Sequence, residues 1–338
     1  MQIQTPYLLF LGDVQDLLSA KTAFGIAYWR PEKCMGQLRL PGCKVDLKIQ
    51  DLSLEEAFQK GARTLIIGVA NRGGIISPNW IPILQKALVL GYDLASGLHQ
   101  RLNDIVELKE TAQLHKRFLF DVRHPKEDFQ VATGLKRTGK RLLTVGTDCS
   151  VGKMFTSLAL ARDMKEKGFS VDFRATGQTG IFIASSGVSI DAVISDFVAG
   201  ATETLSPNNQ ENHWDIIEGQ GSLFHPSFAA VTLGLIHGSQ PDAIIMCHEP
   251  NRPHMRGLPH FMLPSIEECI DLNLKAARLT NPNVECVGIS FNTSLMPVSE
   301  RISFLENMEN KYNYPCIDPT IDTLPIVNRL KQSYKVAC

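Results

Sequence analysis

Paired cysteines are missing from this sequence. Its eight cysteines (Cys34, Cys43, Cys149, Cys247, Cys269, Cys286, Cys316 and Cys338) are scattered over 338 residues with no Cys-x-x-Cys pair. No Cys/His spacing of the zinc type is present either, so neither a disulfide framework nor a zinc site is expected, and no metal is assigned. A reduced, cytoplasmic protein follows as the expectation. An excess of one charge is also lacking: 34 Lys+Arg stand against 35 Asp+Glu, a net charge of −1. Sequence-independent affinity for nucleic acid needs a basic excess, so a polyanion-binding function is set aside. No apolar run reaches the ~18 residues of a membrane span. The early apolar stretch has no basic residues before it and breaks at Gly12 and Asp13, unlike a secretory signal. Missing, finally, is G-x-G-x-x-G: neither Gly12-Asp13 nor Asn71-Arg72-Gly73-Gly74 supplies it, which argues against a dinucleotide-dependent dehydrogenase or epimerase. Asn71 and Arg72 read as turn residues.

What is present is a globular composition, 44% hydrophobic, in a chain long enough for two domains. Strand-length apolar runs alternate with segments of helical period, the pattern of an α/β protein with mostly parallel sheets. In the first part strands are expected at 7–11, 25–29, 64–69, 92–95 and 117–122. A helix should begin at the Ser53-x-x-Glu56 capping box and stop before Gly61, and another should run over 82–90 to Gly91. The polar stretch 124–140 has linker composition, so the domains are placed at 1–135 and 136–338. In the second, strands are expected at 141–145, 170–175, 215–217, 243–246 and 284–291, with helices over 154–167 and 265–279.

One motif carries chemistry. After the apolar strand come Gly146, Thr147, Asp148, Cys149, Ser150, Val151, Gly152, Lys153 and Met154, and then a helix. Backbone N–H groups in such a loop form an anion nest, and the helix N-terminus and the lysine add positive charge. The P-loop pattern G-x-x-x-x-G-K-[ST] is met imperfectly: Thr147 stands where its first glycine belongs, and at its end Met154 replaces the hydroxyl that ligates Mg²⁺. That departure weakens the case for an ordinary Mg²⁺-dependent nucleotide hydrolase. Thr156, two residues on, is the hydroxyl to weigh as its substitute. A Gly-Lys that simply turns a strand into a helix is the bland alternative.

The loop resembles the G-T-D-T-x-V-G-K-T loop of dethiobiotin synthetase and its P-loop relatives. The Asp215–Ser222 run D-I-I-E-G-Q-G-S is similar to their strand ending in Glu-Gly. Gly288–Asn292, G-I-S-F-N, is similar to their late strand whose asparagine helps hold adenine, which assigns Asn292 to the cofactor site. Taken together with Arg174–Gly180 (R-A-T-G-Q-T-G) and Glu218–Pro226, the chain resembles more closely a family carried as a domain of unknown function. Some bacterial members of that family are D-glutamate N-acetyltransferases. The resemblance implies a Rossmann-like N-terminal domain followed by a P-loop NTPase-like three-layer α/β/α domain. It also implies an N-acyltransferase that moves acetyl from acetyl-CoA to a small acidic amino acid.

The residues agree with acetyl transfer. A phosphate nest can cradle the phosphates of acetyl-CoA without hydrolysing anything, and Met154 is then tolerable. The acceptor amine needs a general base. Glu218, at a buried strand end, is the first candidate; a metal-associated carboxylate and an exposed loop carboxylate are its other readings. His225 and His248 are further candidates. The glycines of Gly219-Gln220-Gly221 can bring backbone N–H groups to an oxyanion. An acidic substrate calls for cations, which His248, Arg252, His254 and Arg256 offer in one loop; Arg252 and Arg256 are taken as substrate-binding. Arg174, Gln178 and Thr179, in a turn after another strand, are further substrate or phosphate contacts. A small-molecule substrate and a homo-oligomer are expected. The alternatives are an ATP- and Mg-dependent ligase or kinase resembling dethiobiotin synthetase, and a nucleotide-binding regulatory module without chemistry.

Overall fold

The computed structural model describes residues 3–71, 73–125 and 128–334. Its contacts form two compact units, Met1–Lys126 with Gln178–Ala192, and Glu127–Gly177 with Val193–Cys338.

In the first unit, strands β1 (Tyr7–Gly12), β2 (Cys34–Arg39), β3 (Thr64–Ile67), β4 (Asp93–Ser96) and β5 (Leu119–Asp121) form one parallel sheet in the order β2-β1-β3-β4-β5. Strands β1, β3 and β4 are buried along their whole length, which is why β1 and β3 read as nearly continuous apolar runs. Helices α1 (Lys21–Trp29), α2 (Leu54–Gln59), α3 (Ile81–Leu90) and α4 (Val106–Leu114) connect them. The expected cap on α2 is present: Glu56 N donates to Ser53 Oγ, and Ser53 N donates to Glu56 Oε2. Gly91, at φ 106°, closes α3 in the left-handed conformation.

The segment 25–29, expected as a strand, lies inside α1. Its aromatic and β-branched residues favour a strand locally, but Thr22, Ala23 and Ile26 share a buried helical face. That face meets β3 very closely: Ala23 N donates to Gly68 O at 3.0 Å, and a Cβ on Gly68 would lie 2.3 Å from Ala23 Cβ. Strand order reverses between β1 and β3, the place where doubly wound folds hold a ligand. Here the start of α1 seals it, while Trp80 Nε1 donates to Asp13. Arg72 lies outside the described residues.

The second unit contains β6 (Lys140–Gly146), α5 (Lys153–Glu166) and β7 (Ser170–Arg174). The next helix, α6 (Gln178–Ala184), belongs to the first unit and packs on α1. Returning to the second unit, α7 (Val198–Leu205), β8 (His213–Ile217), α8 (Ala229–Ser239) and β9 (Ala243–His248) follow. A short antiparallel hairpin comes next, β10 (His254–Met255) and β11 (Leu258–Met262). The unit closes with α9 (Ile266–Arg278), β12 (Glu285–Phe291), α10 (Arg301–Tyr312), β13 (Cys316–Ile317) and α11 (Leu324–Ser333). Its six strands pair in parallel in the order β13-β12-β9-β6-β8-β7.

Helices α5 and α11 pack on one face of this sheet and α8 and α9 on the other, giving three layers. Leu160 and Met164 of α5, Ile326 and Leu330 of α11, and Trp214, Ile245 and Val287 of the strands make one continuous buried cluster. Strand β6 is central, with β8 on one side and β9 on the other, so the loop after it opens at the strand-order switch of this sheet. Among the described residues no helix is long and apolar enough to cross a membrane.

Candidate active site

The loop between β6 and α5 is shaped by two residues with positive φ, Ser150 at 55° and Gly152 at 101°. Only there does the chain turn tightly enough to start α5 at Lys153. The first helical bond runs from Thr156 N to Gly152 O. The N–H groups of Ser150, Val151, Gly152, Lys153 and Met154 meet no acceptor among the described residues. Consecutive unpaired amides at a helix start form an anion-binding nest.

Lys153 crosses beneath this nest. It is buried, its Nζ donates to Asp148 O at 2.8 Å, and burial pushes its pKa down. Two glycines give it room: a Cβ on Gly146 would lie 3.1 Å from Nζ, and one on Gly219 would lie 3.1 Å from Cδ and 1.7 Å from Thr144 O. Met154 is half-buried at the position where a P-loop carries its Mg²⁺-ligating hydroxyl. Thr156 does not stand in for it. Its hydroxyl bonds Gly152 O at 3.1 Å and Ser290 Oγ at 2.8 Å inside the fold.

Asp148 is the hub of the loop. Fully buried, it accepts Cys149 N at one oxygen (2.6 Å), and Arg252 Nη1 (2.7 Å) and Arg256 N (2.8 Å) at the other. Arg252 spends all five of its N–H groups inside the protein. Besides Asp148 they reach Glu249 Oε1 and Oε2, Cys149 O and Ser150 O. Burial works against its charge, and the bonds to Glu249 and Asp148 outweigh it, leaving its pKa raised. Glu249, which the sequence reading passed over beside His248, also accepts Asn292 Nδ2 at 3.3 Å. Asn292 flanks the nest, its Cβ 3.6 Å from where a Cβ on Gly152 would stand. Arg256 bonds Ser150 Oγ through Nη1, while its Nε and Nη2 have no partner among the described residues.

The histidines differ. His248 Nδ1 lies 2.9 Å from Thr147 Oγ1, its Nε2 has no partner among the described residues, and burial followed by the Arg252 charge pushes its pKa down to about 4. His225 Nδ1 accepts Ser227 N at 3.2 Å, which leaves the proton on Nε2, directed at Arg256 O at 3.3 Å. Both its nitrogens are therefore engaged. Asp148, Cys149 and His225 present donor atoms within 4.8 Å of one another. The Asp148 oxygen that faces His225 Nε2, Oδ1 at 3.9 Å, already accepts the Cys149 amide, and both His225 nitrogens are in hydrogen bonds, so a metal there would have to displace those bonds. Burial raises the Cys149 thiol pKa, against the lowering charge of Lys153.

Glu218 is buried rather than exposed. Its Oε2 accepts the Thr176 and Gly177 amides at 3.0 and 3.2 Å, and its Oε1 accepts Gln220 Nε2 at 3.3 Å. The Gly219 amide goes to Thr144 Oγ1 at 3.0 Å, and Ser222 Oγ donates to Thr147 O at 3.1 Å, tying the segment after β8 to the nest.

Arg174 turns back along the sheet, donating to Asp215 at 2.7 Å and Asp172 at 3.1 Å. Gln178 and Thr179 fall in the first unit, where Thr179 Oγ1 donates to Thr22 Oγ1 at 3.2 Å and the Gln178 side chain covers Gly97. The nest therefore gathers residues 146–154, His248, Glu249, Arg252, Arg256 and Asn292, with Ser222 and His225 at its border.

Comparison with known proteins agrees with this architecture. Residues 38–125 match the Rossmann-like domain and residues 130–326 the P-loop domain of DUF1611, a domain of unknown function. A D-glutamate N-acetyltransferase of a Pseudoalteromonas species is 53% identical over 95% of this chain and 97% of its own length. Another, from Tritonibacter scottomollicae, is 53% identical over 94% of this chain and 95% of its own. The crystal structure of a DUF1611 protein from Anabaena variabilis superposes with a TM-score of 0.85 at 30% identity, covering 97% of this chain and 99% of that one. With both domains matched and relatives this similar over nearly the full length, the chain belongs to the DUF1611 family and is an N-acyltransferase.

Proposed function

We propose that this enzyme transfers acetyl from acetyl-CoA to the amine of D-glutamate. The observation that carries the reading is the row of unpaired amides from Ser150 to Met154 above a buried lysine, in a loop with Met154 where Mg²⁺ would be ligated. Such a nest suits phosphate groups that are held and not transferred. The two relatives at 53% identity, both named for D-glutamate, suggest the acceptor.

In this reading the nest and Lys153 hold the donor's phosphates, Asn292 borders its nucleotide portion, and Arg256 offers its uncommitted N–H groups to a substrate carboxylate. His248 is the base. With its Nδ1–H donating to Thr147 Oγ1, the Nε2 lone pair is free to take a proton from the ammonium of the acceptor. The amine nitrogen then bonds the thioester carbonyl carbon, whose π electrons move to oxygen. Collapse of that intermediate breaks the C–S bond, and the proton still on the nitrogen passes to the departing sulfur, so that the amide and the CoA thiol leave. A pKa of about 4, set by burial and then by the Arg252 charge, makes His248 a weak base by itself, and an anionic ligand beside it raises that value by opposing that charge. Glu218, saturated by amides, keeps the Thr176–Gly177 turn in place.

Thiol release from acetyl-CoA, followed with D- and L-glutamate and with D-aspartate, tests the assignment. Release that requires D-glutamate supports it. Tight Mg²⁺-dependent ATP binding by calorimetry, without CoA binding, would favour a ligase or kinase and defeat it.

A further inference from the structure

Arg252 holds a place that neither phosphate binding nor carboxylate recognition explains. Its N–H groups are all consumed within the protein, so it has none left for a substrate. Two of its bonds go to main-chain carbonyls, Cys149 O at 2.7 Å and Ser150 O at 3.2 Å. In a trans peptide the C=O and the N–H of the same plane point in opposite directions. Pulling Cys149 O toward the guanidinium therefore turns the Ser150 N–H away from it, and pulling Ser150 O does the same for the Val151 N–H. Those two amides are among the ones with no acceptor. The left-handed Ser150, at φ 55°, is the residue between the two gripped peptides, and an unrestrained non-glycine residue leaves that conformation readily.

We propose that Arg252 is a positioning residue that sets the direction of the phosphate-loop amides. Asp148 and Glu249 hold the guanidinium in plane, Asp148 through Nη1 at 2.7 Å and Glu249 through Nε and Nη2 at 3.1 and 2.8 Å. The planar fork is what lets one side chain grip two carbonyls and two carboxylates at once, and lysine, a point charge with three donors, lacks that geometry. Arg252 thus acts through the backbone and does not touch the ligand. The inference rests on the reading of this loop as the donor's phosphate site, and its test separates the two.

Arg252→Lys and Arg252→Gln are compared with the parent enzyme in three measurements. Calorimetry with CoA and with inorganic pyrophosphate should show affinity falling about tenfold or more in both variants, the lysine included although it keeps the charge. In both variants kcat/KM with acetyl-CoA should fall at least about fivefold more than kcat/KM with S-acetylpantetheine, a donor without nucleotide phosphates. A general loss of folding would lower both donors alike, and that result would overturn the proposal. So would unchanged CoA and pyrophosphate affinity in either variant. If the parent binds pyrophosphate but not CoA, the donor assignment fails, and the positioning role is decided by the pyrophosphate comparison alone. Binding of neither by the parent overturns both.

Discussion

His248 Nδ1 and Thr147 Oγ1 lie 2.9 Å apart, joining the end of β9 to the first turn of the phosphate loop. The pair leaves Nε2 without a partner among the described residues, and it ties the orientation of the ring to the loop after β6. Thr147 is fully buried, so this bond is not exchanged for one to bulk water. Replacing Thr147 by Val removes the hydroxyl at nearly constant volume. Turnover should fall at least about tenfold at saturating acetyl-CoA, with little change in CoA affinity. Steady-state kinetics alongside calorimetry separates the two effects, and equal losses in both would deny the orienting role.

His248 also predicts an acid sensitivity. It stays neutral in the folded chain down to about pH 4, whereas a histidine in an unfolded chain takes up a proton near its ordinary value of 6.5. Between those values the unfolded state binds more protons, so stability falls as pH drops through that window. At about 1.4 kcal/mol per unit, discounted for the partial exposure of the ring, the loss is on the order of 2 kcal/mol. Denaturant unfolding of the parent and of His248→Asn at pH 7 and pH 4.5 should show a smaller pH difference in the variant.

Lys153→Met removes the buried ammonium while keeping the volume of its stem. CoA affinity should drop by one to two orders of magnitude, the scale of lost charge-assisted bonds to phosphate. Because the ammonium is buried and its pKa is depressed by desolvation, the variant should unfold at an equal or higher temperature. Calorimetry with CoA and a thermal melt check the two halves, and unchanged CoA binding would remove Lys153 from the cradle.

Glu218→Gln distinguishes a base from a structural acceptor. The carboxylate accepts two backbone amides and a side-chain amide, and a glutamine must turn its own NH₂ toward one of those donors. A loss of about 1–3 kcal/mol in stability is expected, with at least a third of the turnover retained at neutral pH. Complete loss of turnover in a variant that still melts cooperatively would instead make Glu218 the base.

Gly219→Ala tests how tightly the segment after β8 is set against β6. The added Cβ would stand 1.7 Å from Thr144 O, which the pairing of Thr144 with Ile245 of β9 keeps from moving away. A destabilisation on the order of 3 kcal/mol is expected by thermal or denaturant unfolding.

Much of this protein was legible one segment at a time. Buried parallel strands are apolar along their length, so β1, β3, β6 and β9 were visible as runs. The Ser53 and Ser265 capping boxes are local chemistry, as is the turn from Gly146 to Lys153. Strand β2 is not visible because it is mostly half-buried and Gly36, Gln37 and Arg39 break its apolar run, and α1 reads as a strand because the same aromatic and branched residues serve either element until the sheet they pack on is known.

The sequence by itself determined the α/β alternation, the phosphate loop, the absence of a Mg²⁺-ligating hydroxyl after Lys153, and a loop rich in cations after β9. These depend on neighbours in the chain, whose spacing is covalent. Only the tertiary structure decided what each of these arginines does: Arg174 is drawn onto Asp172 and Asp215, Arg252 onto Asp148, Glu249 and two loop carbonyls, and of the three Arg256 keeps N–H groups with no partner among the described residues. A guanidinium is recruited by whichever acceptors the fold brings within about 3 Å of it, and residues 148 and 252 become neighbours only when β6 and β9 pair in the sheet.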